Sequence, residues 1–271
     1  MSTCIYCGQE GKMTREHILP SFIYEYQYST AAGKTIGWQE KSQKMIHGEA
    51  KIKDVCFHCN NVVLCDLDGY VKNMLERSGF FTECFLKDKV TIDYNYSLLS
   101  RWLLKVAFNS SRASEKKLPF FDKYKDVILG KSANFSGFAI SSGLFKPLKL
   151  TPSEMKKYSH NFKAHSSGYA NPFFGRISWA EFESTEYSVK QIVIGAAIFH
   201  VLAFKDDLHR DRKKGLVNEY LEVCKGMTLI RKNKSKVDVI QTPITFLDSM
   251  KHHMLRPDVE PYLRELAKNI N

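Results

Sequence analysis

The sequence predicts an α+β fold. Three features point to it: two Cys-x-x-Cys pairs near the start, an apolar stripe of helical period over 96–112, and segments rich in β-branched and aromatic residues between 173 and 204. Cys4 and Cys7 form one pair, Cys56 and Cys59 the other, and Cys65, Cys84 and Cys224 stand apart. Without a βαβ pattern around either pair, two such knuckles suit a closed tetrahedral zinc site better than a redox dithiol. Gly8 ends the first knuckle, where a tight turn lets backbone amides face metal-bound sulfurs. The other three cysteines are expected as buried small hydrophobes.

Between the knuckles, Thr14 to Pro20 reads as a short strand that Pro20 brings to an end. Residues 21–55 begin with Phe22, Tyr24, Tyr26 and Tyr28 at alternate positions and continue through Gly33 and Gly37, which predicts strand or irregular structure. From Val62 onward, Val63, Leu67, Val71 and Met74 recur at helical spacing, so a helix leaves the second knuckle. Over 96–112, Leu98, Leu99, Trp102, Leu103, Val106 and Ala107 share one face and Arg101 and Lys105 another, the pattern of an amphipathic packing helix. The run 191–195 reads as a buried strand, and 258–268 as a closing helix capped by Asp258. The charge-rich runs 205–214 and 231–236 read as solvated surface.

With 44% hydrophobic residues in 271, the chain has the apolar material for a real core. No apolar run approaches the roughly 18 to 20 residues that cross a bilayer, and the opening segment lacks a secretory apolar stretch, so a cytoplasmic protein is expected. The net charge of +11 attracts polyanions and makes nucleic acid the leading partner. Arg101, Lys105, Lys116, Lys117, Lys156 and Lys157 are candidates to track a phosphate backbone.

Four elements in order, CIYC at 4–7, EHILP at 16–20, VCFHCNN at 55–61 and the helix after them, resemble the zinc-containing branch of the HNH endonucleases. The resemblance covers the first quarter to third of the chain. It implies a zinc-stapled ββα-metal, treble-clef-like HNH module over 1–86, followed by a mixed α/β region over 87–271 that positions substrate or regulates. Phosphodiester hydrolysis needs a deprotonated water and neutralisation of charge building on the phosphoryl group. A histidine with an ordinary pKa of about 6.5 can take the water's proton at neutral pH, and the resemblance assigns that role to His17. It also implies that the Glu16 carboxylate and the Asn60 side-chain oxygen hold a catalytic Mg2+ or Mn2+, for which hard oxygen ligands are suited, with zinc on Cys4, Cys7, Cys56 and Cys59.

Adjacent residues on a regular strand face opposite sides, so Glu16 and His17 share a site only if the strand ends or twists there. The family often has aspartate before this histidine, and the connection from His17 to Cys56 is long and lacks the glycine-pair-then-asparagine segment of many members. Asn61 reads as a helix cap and His58 as a spectator, as does His47, which is also the outside candidate for a further ligand. The resemblance favours DNA over RNA; the expected role is restriction, phage defence or mobile-element mobility, of which defence fits a chain of this kind better, with a homodimer if both strands are cut. Two alternatives share the zinc: a catalytically silent nucleic-acid-binding module, and an effector nuclease active only with a partner protein.

Overall fold

The computed structural model describes residues 2–30, 36–39, 44–159, 163–179 and 184–249. β1 (Ser2–Thr3) and β2 (Glu10–Gly11) form a small antiparallel pair that frames the first knuckle. β3 (Met13–His17) ends before Pro20, as the sequence predicts, and α1 (Ser21–Thr30) begins at once. This helix overturns the strand or irregular reading of the aromatic run. Alternate positions 22, 24, 26 and 28 also contain the i,i+4 pairs Phe22/Tyr26 and Tyr24/Tyr28, which lie on common helical faces. Packing selects the helix: Tyr26 stands edge-on to Phe81 at 4.9 Å and to Phe173 at 4.5 Å, while Phe22, Ile23 and Tyr24 are buried.

β4 (Ile36–Gln39) and β5 (Lys44–His47) form a separate antiparallel pair, and β6 (Lys51–Cys56) returns to pair antiparallel with β3. A π-helical turn over Cys59–Leu64 leads into α2 (Cys65–Arg77), which buries Leu67, Val71 and Met74 as their spacing predicts. Strand, strand and helix thus follow one another, and because Met13 pairs with Cys56 both knuckles meet at one end of the ribbon.

β7 (Lys89–Asp93) precedes α3 (Tyr96–Ser114), whose first turn is capped by the Asn95 side chain accepting from the Leu98 amide at 3.1 Å. Two short helices, α4 (Leu118–Asp122) and α5 (Lys125–Ile128), follow. Next come β8 (Phe138–Leu144), β9 (Leu148–Lys149), α6 (Pro152–Tyr158), β10 (Tyr169–Ala170), β11 (Gly175–Trp179), β12 (Tyr187–Ile194), β13 (Ala197–Phe204), α7 (Arg210–Val223), β14 (Thr228–Leu229) and β15 (Lys236–Ile240). An antiparallel sheet in the order β11-β12-β13-β8-β14 forms the centre of this region, and β15 pairs with β7. The run 191–195 lies in β12 and the turn after it, buried as expected. The closing helix expected at 258–268 lies outside the described residues.

The architecture is mixed α/β. One apolar core runs from Cys4 and Met13 through Val71 and Trp102 to Phe199 and Val239, crossing position 86 without a break. Lys105, expected on the polar face of α3, is instead fully buried, because Trp102, Lys105 and Asn109 share a face turned toward α2 and β3. Cys65 is exposed and Cys84 and Cys224 are half-buried, which corrects the expectation that all three sit inside. The residues of 231–236 are exposed, and those of 205–214 are exposed apart from the half-buried Leu208 and Lys213, as the charge runs predict. No helix among the described residues is long and apolar enough to cross a membrane.

The sheet carries one buried histidine with a measurable consequence. His200 is 5% exposed, with Nε2 at 3.0 Å from the Gln191 amide nitrogen and Nδ1 at 2.8 Å from the Tyr220 hydroxyl. Burial pushes its pKa down to about 4. Because this lies below the ordinary value of about 6.5, the unfolded chain takes up the proton first. The stabilisation is complete above that ordinary value and falls by roughly 3 kcal/mol as pH drops toward the folded value. Urea unfolding from pH 7 to 4.5 should therefore show a steeper loss for wild type than for His200→Gln; identical slopes would mean that the ring is not held neutral.

Candidate metal centre and the histidine beside it

The first knuckle turns at Gly8, where φ of +74° suits glycine and the Gly8 amide donates to the Cys4 carbonyl at 2.9 Å. The Ile5 amide donates to the Asp54 carbonyl at 3.0 Å and so joins the two knuckles. As a result, the sulfurs of Cys4, Cys7, Cys56 and Cys59 all lie within 4.8 Å of one another, with Cys7 and Cys56 Sγ at 3.7 Å. Zinc–sulfur bonds of about 2.3 Å give a tetrahedron with edges of about 3.8 Å, so the spacing fits. Backbone amides face the sulfurs, Cys56 N to Cys4 Sγ at 3.3 Å and Cys59 N to Cys56 Sγ at 3.5 Å. Burial resists ionisation of Cys4, but hydrogen bonds from the backbone of Cys56, Cys7 and Tyr6 outweigh it and bring the thiol down to about 7.

These four cysteines can hold a metal ion, and the donor set is consistent with structural zinc. Since the site joins segments about fifty residues apart, removing the metal should loosen the whole N-terminal region. A strong chelator, or Cys56→Ser, is expected to release about one zinc per chain and to lower the melting temperature by roughly 10 °C or more, the effect of a loss of several kcal/mol in a chain of this size. An unchanged melting temperature after complete metal removal would eliminate the structural role.

Beside this centre, Asn60 ties the start of the helix to the first strand of the ribbon. Its Nδ2 donates to Thr14 Oγ1 at 2.8 Å and to the Arg15 carbonyl at 3.1 Å, leaving Oδ1 without a hydrogen bond among the described residues. Asn61 caps nothing: its Nδ2 donates back to the Phe57 carbonyl at 3.3 Å, and the helix begins at His58 without a side-chain cap. His58 is exposed and stands outside the sulfur group. The side chain of His47 lies outside the described residues.

Glu16 and His17 are not brought together. An irregularity between Thr14 and Arg15 shifts the alternation of β3, so Met13 and Glu16 both point inward. Glu16 is 3% exposed, and its Oε1 lies 2.9 Å from Lys105 Nζ and 3.2 Å from Asn109 Nδ2. The expected role of Glu16 as a metal ligand therefore meets a carboxylate already committed to α3. His17, on the other face and half-buried, has Nε2 at 2.8 Å from Glu49 Oε2. Lys51 Nζ contacts the same oxygen at 2.7 Å, and Asn109 Nδ2 holds the backbone of β3 by donating to the His17 carbonyl at 3.0 Å.

Glu49 is the site residue that sequence reasoning missed. It sits in the long connection, where no period marks it; only the β3–β6 register, which sets His17 opposite Lys51, brings it to the histidine. The Lys51 ammonium holds its carboxyl below the usual range, burial opposes this, and the hydrogen bond with His17 adds to the lowering. A carboxylate that accepts from Nε2–H leaves the lone pair on Nδ1, which makes no hydrogen bond among the described residues. The arrangement can accept a proton at a half-exposed ring nitrogen.

Compared with known protein families, curated proteins and solved structures, the chain gives no match.

Proposed function

We propose that the chain is a metal-dependent endonuclease of the HNH kind that hydrolyses phosphodiester bonds in DNA, with His17 as general base. The observation that carries this reading is the His17–Glu49 pair at the end of a ββα arrangement whose strands and helix are joined by the four-cysteine centre. Glu49 orients the imidazole and fixes the proton on Nε2, so that Nδ1 is the nitrogen that takes a proton from water. Asn60 sets the ribbon against the helix.

A catalytic Mg2+ or Mn2+ would find an oxygen donor in Asn60 Oδ1, which makes no hydrogen bond among the described residues, whereas Glu16 would first have to leave its ion pair. Such an ion supplies charge neutralisation at the phosphate and stabilises the leaving oxygen. The net charge of +11 agrees with a polyanionic substrate. Phage defence or restriction is the biological setting that fits the reading.

Withdrawal of Glu16 into the core favours a second reading, in which the same module binds nucleic acid without cutting it or cuts only in complex with a partner. Purified protein with Mg2+ or Mn2+ should nick or linearise plasmid DNA. Absence of cleavage of plasmid and single-stranded DNA with either metal would make the second reading the better one.

A further inference from the structure

The outer face of the β3–β6 ribbon carries an unusual concentration of positive charge. Register sets Arg15 opposite Lys53 and His17 opposite Lys51. Residues two apart on a strand share a face, so these four side chains form one block. Arg15, Lys51 and Lys53 are exposed. Like charges directly opposite each other destabilise a strand pair, and a ribbon stabilised only by its own contacts would be expected to alternate their sign. Glu49 answers Lys51, but neither Arg15 nor Lys53 forms an ion pair among the described residues.

The backbone beneath this block is fixed. Asn60 holds the Arg15 carbonyl, Thr14 Oγ1 donates to the Val55 carbonyl at 2.8 Å, and the metal centre anchors the end of β6. Repulsion is thus built into a rigid element that cannot relax by fraying, and an external anion relieves it. Along β3, Arg15 and His17 are spaced by two residues, about 6.7 Å of extended chain, so an anion chain lying on Arg15 also lies over His17.

We propose that Arg15 and Lys53 are the phosphate contacts that lay one DNA strand along this face and bring its backbone over His17. The inference rests on the nuclease reading for the purpose of the contact, although binding itself is measurable without cleavage. Each phosphate neutralised on duplex DNA adds about 0.9 to the slope of log affinity against log salt, so losing both contacts should flatten that slope by about 1.8.

The test uses the full zinc-loaded chain and a fluorescent DNA duplex with no added divalent ion, over 50 to 200 mM salt, a range set by roughly where counterion release is readable. R15A/K53A is compared with K232A/K234A, which removes the same charge from the exposed run 231–236; equal melting temperatures for all three proteins verify folding. The expected result is the flattened slope in R15A/K53A and the wild-type slope in K232A/K234A. The proposal is overturned if R15A/K53A keeps the wild-type slope, if both pairs change it equally, or if wild type binds vesicles of anionic lipid but no DNA. Slope loss in a protein that never cuts would uphold the track and remove the nuclease reading. Cleavage by R15A/K53A with unaltered binding would do the reverse.

Discussion

His17→Ala is expected to lower the rate of plasmid cleavage in Mg2+ or Mn2+ by about 10²- to 10⁴-fold, the range that a positioned general base supplies. Zinc content and melting temperature should stay close to wild-type values, because the half-buried ring pairs with Glu49 and only borders the Tyr24 ring at 6.2 Å, and the strand is held through its backbone by Asn109. Glu49→Gln keeps the shape but removes the negative charge that orients the ring, so its loss should be smaller than that of His17→Ala. Steady-state cleavage with measured zinc occupancy reads both. If His17→Ala cuts at the wild-type rate, the ring is not the base and the pair with Glu49 is a surface contact only.

What the sequence made legible is what its side chains encode locally. Cysteine spacing announces the metal centre because thiolates need no help from distant residues to be recognised as ligands, and the strand ended by Pro20 follows from the missing donor. Helical spacing over α2 and α3 is visible because the buried sides repeat along the chain. The misreadings share a cause in long-range packing. The aromatic run of α1 satisfies a period of two and the i,i+4 rule together, and only Phe81 and Phe173 decide between them. Glu16 is turned inward by an irregularity one residue before it, which no composition reveals. Lys105 looks solvent-facing on a helical wheel until Asp68 and Glu16, both far away in sequence, supply its counter-charges. Glu49 is found only through strand register.

Lys105 also supports the prediction with the largest effect on stability. Its ammonium is fully buried, 2.9 Å from Glu16 Oε1 and 2.7 Å from Asp68 Oδ2, while Trp102 Nε1 donates to the other oxygen of Asp68 at 2.8 Å. Burial alone would favour the neutral amine, but the two carboxylates outweigh it and hold the group above its usual pKa. Lys105→Met keeps the stem and removes the charge, leaving the Glu16 carboxyl in the core without its cation; a buried pair broken from one side costs about 3–5 kcal/mol. The double variant Lys105→Met with Glu16→Gln should recover much of this, because the uncompensated charge leaves with its partner, and the difference between the two isolates the penalty. Urea unfolding at pH 7 measures both. A loss below about 1 kcal/mol for the single variant would mean that the pair is open to water. Asn109 bridges Glu16 Oε1 and the His17 carbonyl, so the same substitution should disturb the end of β3. Stability and cleavage should then fall together in Lys105→Met, whereas His17→Ala separates them, and that contrast distinguishes the residue that holds the site in place from the one that meets the substrate.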